Sequence, residues 1–297
     1  MSRIEKALER AVKMRESIQE TVPQEPPVSP GSGTGPGSHC FEIRGGAVDP
    51  AGVDSHIVCI AEPRSSATEQ YKKLRATILK ATRNDNRNTL LVVSADAGEG
   101  KTITAINTAV ALANGMDHTV LLVDADLRKP SIHRYLGLKP QAGLSDYLQG
   151  KVDIPDVLIN TGIGKLVFLP AGNSSEDSTE LLSSQKMRGL IQDMKQRYKD
   201  RYIIIDTSPI LLTADPISLC NYMDGVIFVV RADHTSPKVV SRALSLIKGS
   251  TILGIIFNNV PKYLAKSHYP YYYRYGAAGY GYGETPSGGR VDHATPR

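Results

Sequence analysis

Six stretches of the chain are apolar at nearly every position: Thr89–Ser94, Thr119–Asp124, Lys165–Leu169, Tyr202–Asp206, Asp224–Val230 and Ile252–Asn258. Runs such as LLVV, VLLV, YIII, GVIFVV and LGIIF leave no polar face, which is the pattern of strands buried on both sides of a parallel sheet. Between them lie helical segments at about Lys101–Asn114, Gln185–Tyr198, Pro216–Tyr222 and Pro237–Gly249. A further helix is expected over Ser65–Thr82, with Ala67, Tyr71, Leu74 and Ile78 as its apolar stripe. Strand–helix units repeated in this way predict a doubly wound α/β sandwich around a mostly parallel sheet.

The two ends read differently. Residues 1–20 place Ile4, Leu8, Ala11 (with Val12) and Ile18 at helical spacing, with Glu, Lys and Arg on the other face. The mixed charges argue against a basic membrane-surface helix; docking to a partner and packing on the chain's own domain both fit. Residues 21–40 are rich in Pro, Gly and Ser and read as an extended linker. A globular domain is expected over 41–262, and a flexible tail over 263–297. That tail crowds together Tyr263, Tyr269, Tyr271, Tyr272, Tyr273, Tyr275, Tyr280 and Tyr282, eight of the fourteen tyrosines.

Composition adds little beyond the class. Apolar residues make up 41% and charged residues 22%, the balance of a soluble globular protein. No apolar run reaches the roughly 18 residues of a membrane span, and the N-terminus lacks the apolar core of a signal peptide, so a cytoplasmic protein is expected. Cys40, Cys59 and Cys220 are odd in number and show no CxxC spacing, which suggests neither a disulfide framework nor a metal site. The net charge of +5 is spread over segments of mixed sign, and no nucleic-acid partner is expected from it.

The candidate chemistry begins where strand LLVVS runs into ADAGEGKT and then into a helix. Gly98, Gly100, Lys101 and Thr102 match the G-x-x-x-x-G-K-[ST] pattern, with Ala95 in place of its first glycine. The two glycines permit a tight loop whose amides turn onto phosphate oxygens, aided by the positive end of the helix. Ala97, Gly98, Glu99, Gly100, Lys101, Thr102 and Ile103 are therefore the expected ATP-binding segment. Lys101 is expected at the β- and γ-phosphates, and the Thr102 hydroxyl at Mg²⁺. Asp206 ends strand YIIID, and Asp124 and Asp126 end VLLVDAD; in a parallel sheet such strand ends open onto one crevice.

The segments VLLVDADLRKP, LPAGNSSEDSTELLSSQKM and YIIIDTSPILLTAD resemble the bacterial tyrosine autokinases (BY-kinases) of capsule and exopolysaccharide production, over about Ile60–Val260. The opening MSRIEKALERA resembles the autokinases of exosortase-type polysaccharide loci. The resemblance implies a P-loop NTPase fold of the MinD/ParA kind with ATP and Mg²⁺ as cofactors. Ala95–Thr102 resembles Walker A. VLLVDAD resembles Walker A′, which implies a role at Mg²⁺ and the nucleophile for Asp124 and a supporting one for Asp126. IIID resembles Walker B, with Asp206 as the metal-site carboxylate. Glu69, Lys72 and Arg75 resemble an E-x-x-R-x-x-R oligomerisation motif, with Lys72 standing where arginine is usual. That change removes a planar two-pronged contact. Without the resemblance, the same three residues read as a solvated helix flank with i,i+3 pairing.

Taken together these features predict an ATP-dependent autokinase. Lys101, Asp124, Asp126 and Asp206 would be catalytic, and Thr102, Asp124 and Asp206 would form the metal site. Tyr269, Tyr271, Tyr272, Tyr273, Tyr275, Tyr280 and Tyr282 would be the phosphoacceptors. Asn258, at the end of the last strand, is the candidate for contact with the adenine. The resemblance also implies a homo-oligomer, in the form of a ring, and a transmembrane polysaccharide co-polymerase adaptor. That adaptor would recruit the chain to the inner face of the plasma membrane, and a tyrosine phosphatase would reverse the modification. The competing class is a MinD/ParA-type positioning ATPase.

Overall fold

The computed structural model describes residues 44–45, 48–83, 87–197 and 200–261. The expected N-terminal helix and linker, and the tyrosine-rich tail, lie outside the described residues. Among these, eight strands form one sheet: β1 (Arg44–Gly45), β2 (Thr89–Ser94), β3 (Thr119–Asp124), β4 (Ile159–Asn160), β5 (Leu166–Leu169), β6 (Arg201–Asp206), β7 (Gly225–Arg231) and β8 (Ile252–Asn258). Their order is β1-β4-β5-β3-β6-β2-β7-β8, parallel throughout except for the β4–β5 pair. The six long apolar runs are the six longer strands. The two-residue strands β1 and β4 carry too few residues to show a period and were not foreseen.

Alternation along each strand splits the apolar side chains between two cores. Leu91, Val93, Leu121, Val123, Ile203, Ile205 and Phe228 fill one face. Leu90, Val92, Leu122, Ile204, Ile227 and Val229 fill the other, together with Ala105, Ile106, Ala109, Val110 and Leu112 of helix α3 (Lys101–Ala113). The small residues of α3 let its axis lie close to the sheet, and the helix is buried nearly all round.

Two helices precede the sheet's long strands. Helix α1 (Val58–Ala61) and helix α2 (Ser66–Thr82) pack against α3. Ser65 caps α2 by accepting the amide of Thr68, and the Thr68 hydroxyl donates to the carbonyls of Val58 and Glu62.

Strand β8 departs from expectation. Its LGIIF run predicts burial on both faces, yet it is the edge strand, and Ile252, Ile255 and Phe257 are 40%, 45% and 65% exposed. Only Leu253 and Ile256 pack into a core. An apolar run records that both faces avoid water in some context, and strand order, which the run does not encode, decides whether this chain supplies that context.

Candidate active site

The loop from Ala95 to Gly100 joins β2 to α3. Gly98 and Gly100 have φ of 75° and 89°, a left-handed conformation that glycine adopts without strain. Gly100 occupies the N-cap position of α3 and offers no side-chain cap, so the first amides of the helix stay free for an anion. A Cβ on Gly100 would lie 1.9 Å from Asn258 Nδ2. Gly100→Ala is therefore expected to distort the loop and weaken Mg-ATP binding by at least about tenfold, measured by calorimetry, because strain and overlap act together.

Lys101 reaches back across this loop. Its Nζ lies 3.1 Å from Thr102 Oγ1, 3.4 Å from Asp126 Oδ2 and 3.6 Å from Asp206 Oδ1. Burial works against its charge, but Asp206, Asp126 and Asp124 together hold the ammonium above the usual lysine range. Asp124 and Asp206 are register partners at the ends of β3 and β6. The sheet thus delivers both carboxylates to the same level beside the loop.

The two carboxylates differ in what they touch. Asp124 Oδ1 accepts the amide of Asp126, and Oδ2 accepts those of Ser131 and Ile132, at 3.1 to 3.2 Å. It thereby shapes the turn after β3 and the start of helix α4 (Ile132–Tyr135). Burial, reinforced by the charge of Asp206, pushes Asp124 up to about 7. Asp206 is fully buried, and neither of its oxygens has a hydrogen-bond partner. Its pKa is raised by burial against the pull of Lys101.

A buried carboxylate with no hydrogen-bond partner, beside a threonine hydroxyl, fits a hard divalent cation such as Mg²⁺. Among the described residues no three His, Cys, Asp or Glu side chains gather to hold a metal by themselves. Mg²⁺ takes one or two protein oxygens and fills its remaining positions with water and phosphate, a donor set that Thr102 and Asp206 can supply.

Several residues join the site without having been foreseen. The loop after β6 hydrogen-bonds to the end of β2 and the start of the phosphate loop, with Ile210 N–H donating to Ser94 O and Leu211 N–H to Ala95 O. Asp215, fully buried, accepts from Ser178 Oγ at 3.0 Å and from the Thr179 hydroxyl, and Arg128 Nε stands 3.5 Å from it. Residues from three distant segments are thus held together around Asp215. All of them lie in the segments that carry the family resemblance, but no spacing rule marks them.

The remaining expected residues are placed as follows. Glu99 is buried, Ala97 is exposed, and Ile103 packs against the core. Asn258 Nδ2 donates to Glu99 O at 2.9 Å, against the back of the phosphate loop. Lys72 pairs with Glu69 at 2.6 Å on the exposed flank of α2, while Arg75 donates to Ala111 O at 3.1 Å. The structure therefore brings together Lys101, Thr102, Asp124, Asp126 and Asp206. It sets Glu69, Lys72 and Arg75 on a separate helix.

Comparison with known proteins gives a consistent picture. A ParA family profile described as "NUBPL iron-transfer P-loop NTPase" matches residues 85–272. The tyrosine-protein kinase YwqD of Bacillus subtilis is 34% identical over 220 residues, covering 73% of this chain and 91% of that protein. The tyrosine-protein kinase ptk of Acinetobacter johnsonii is 31% identical over 69% of this chain, but over only 28% of its own length. Among solved structures, the kinase domain of the Escherichia coli tyrosine kinase ETK superposes with a TM-score of 0.66. It is 29% identical and covers 69% of this chain and 80% of that one.

Proposed function

The chain belongs to the ParA-type P-loop NTPases and, among them, to the bacterial tyrosine-protein kinases, and we propose that its acceptors are the tyrosines of its own C-terminal tail. The observation that carries this reading is where the tail begins. Strand β8 ends at Asn258, whose side chain is bonded to the phosphate loop, so the chain leaves the sheet at the rim of the nucleotide site. Tyr269 lies eleven residues beyond Asn258 and can reach about 36 Å when extended, enough for its own site or a neighbour's.

The site residues divide the work. The loop amides and Lys101 bind the β- and γ-phosphates of ATP, and Thr102 with Asp206 holds Mg²⁺. Mg-ATP, when bound, supplies the phosphoryl group and the cation that offsets its charge. Lys101 lies within the site before nucleotide arrives, so its charge is preorganised for the negative charge that develops in transfer. A free tyrosine has a pKa near 10, so its hydroxyl needs help to react at neutral pH. Asp124, near 7, is suited to orient the phenol and accept its proton, with Asp126 supporting it at the Lys101 side.

The wider role follows from the same reading: phosphorylation regulates exopolysaccharide or capsule polymerisation and export. The partner is a transmembrane polysaccharide co-polymerase adaptor that recruits this chain to the inner face of the plasma membrane. The ptk relative extends far beyond the matched region, and no helix among the described residues is long and apolar enough to cross a membrane. Glu69, Lys72 and Arg75 form the contact of a homo-oligomeric ring in which transfer runs between copies. A tyrosine phosphatase resets the tail.

The test is incubation of the full chain with Mg-ATP and mapping of phosphotyrosine by mass spectrometry, with the adaptor's cytoplasmic segment added if the chain alone is silent. Phosphate is expected on tyrosines between Tyr269 and Tyr282. Changing all seven tyrosines there to Phe is expected to abolish it while leaving ATP binding within about twofold, because the tail is no part of the phosphate loop. Phosphotyrosine persisting in that variant would remove the tail as acceptor. ATP hydrolysis with no phosphotyrosine would favour a positioning ATPase.

A further inference from the structure

Glu99 is the one residue between the two left-handed glycines of the phosphate loop, and its side chain is 1% exposed. A carboxylate so placed must be satisfied from within the protein. Its Oε2 accepts the amide of Asp96 at 2.8 Å, closing the loop on itself. Its Oε1 accepts the hydroxyl of Thr235, which lies 136 residues away in sequence.

Thr235 is itself well held. It belongs to the turn that follows β7, where the amides of His234 and Thr235 donate to Arg231 O. Asp233 takes a left-handed φ of 55° there, and Ser236, the residue after Thr235, caps helix α5 (Pro237–Leu246) by accepting the amide of Val239. Arg231 from the same turn directs Nη1 at Gly98 O, 3.4 Å away. Asn258 of β8 completes the contact at Glu99 O. The back of the loop is thus gripped from outside at Gly98, at the Glu99 carbonyl and at the Glu99 carboxylate, by residues of β7, its following turn and β8.

We propose that Thr235 is a positioning residue for phosphoryl transfer: through the buried Glu99 carboxylate it holds the phosphate-loop amides in their binding arrangement before nucleotide arrives. This rests on reading Ala95–Thr102 as the ATP loop, and it extends the site to a turn that no phosphate-loop pattern contains. The physical reason is preorganisation. A loop of small residues with two left-handed glycines has many conformations, and only those with converging amides bind phosphate. Glu99 is the loop's anchored side chain, and Thr235 is the hydroxyl donor that fixes it.

The experiment compares wild type, Thr235→Val, Thr235→Ser, Glu99→Ala and the Glu99→Ala/Thr235→Val double variant. Mg-ATP affinity is measured by calorimetry, and hydrogen–deuterium exchange of residues 96–102 is followed in the nucleotide-free protein. Thr235→Val is expected to weaken Mg-ATP binding about tenfold and to speed exchange in the loop, since a buried acceptor loses its donor. Thr235→Ser, which restores the hydroxyl, is expected to recover most of both. The double variant is expected to lose no more than Glu99→Ala alone, because Thr235 acts through Glu99. Additive losses would overturn the proposal, as would a Thr235→Val protein with a lower melting temperature but unchanged affinity and exchange. If Thr235→Val does not fold, the Thr235→Ser exchange pattern against wild type decides: faster loop exchange with the hydroxyl retained counts against the proposal, and unchanged exchange supports it. Absence of Mg-ATP binding in wild type would instead overturn the reading of the loop, and this proposal with it.

Discussion

Lys101→Met is expected to lower tyrosine phosphorylation by at least about a thousandfold, a loss of roughly 4 kcal/mol of transition-state stabilisation. The size follows from the geometry. Lys101 Nζ is within 3.6 Å of both Asp126 and Asp206, in a site largely closed to water. A fixed charge there acts on a developing negative charge with little screening. Removing it also strands the acidic residues around it, so the variant should melt at a lower temperature. The two effects are read separately in Lys101→Met: the melting temperature of the nucleotide-free protein reports the stranded charges, and phosphotyrosine formed well below that temperature reports the lost cation. Phosphotyrosine at the wild-type level in the folded variant would mean that Lys101 acts only as a structural counter-ion.

Asp206→Asn should make the nucleotide-free protein more stable and the kinase at least about a hundredfold slower. Both oxygens of Asp206 are buried without a hydrogen-bond partner, an arrangement that suits a bound cation but disfavours the empty fold. An amide removes the buried charge, and Lys101 keeps Asp126 as a partner. The gain should be about 1 to 2 kcal/mol, or roughly 2 to 8 °C in Tm for a domain of this size.

The pH dependence has a definite sign. Asp206 and Asp124 are both raised in the folded protein, Asp124 to about 7. An unfolded aspartate titrates near 3.9. Above that pH the unfolded chain gives up protons that the fold retains, so stability present at acid pH is lost as pH rises through about 7. The Tm advantage of Asp206→Asn should therefore be larger at pH 8 than at pH 5. Mg-ATP should raise the Tm of wild type more than that of the variant. Scanning calorimetry at the two pH values checks both statements. A variant less stable than wild type at pH 8, or one equally stabilised by Mg-ATP, would mean that Asp206 is a structural acid and not a metal-site ligand.

Much of the site was legible because its chemistry is carried by neighbours in sequence. The phosphate loop needs a strand, two permissive glycines, a lysine and a helix start within a few residues, and a short pattern records all of them. Asp124 and Asp206 were legible for a related reason: each closes an apolar run, and a parallel sheet brings strand ends to one side. The contacts that were missed act across the sequence. Asp215 meets Ser178, Thr179 and Arg128, and Glu99 meets Thr235, only after the loops between them close. Single hydroxyls and carboxylates in loops have no period or spacing to mark them.

Strand β8 shows the same limit within the fold. Its side chains promise burial, but burial requires neighbours on both faces, and an edge position withholds part of them. What the sequence determined alone was the set of long strands and helices, the parallel sheet and the phosphate loop, since each depends on local period or local chemistry. Tertiary structure decided the order of the strands, the pairing of Asp124 with Asp206, the exposure of β8 and the anchoring of Glu99. Each of these is a contact between segments far apart in the chain, and such contacts form only once the intervening loops have closed.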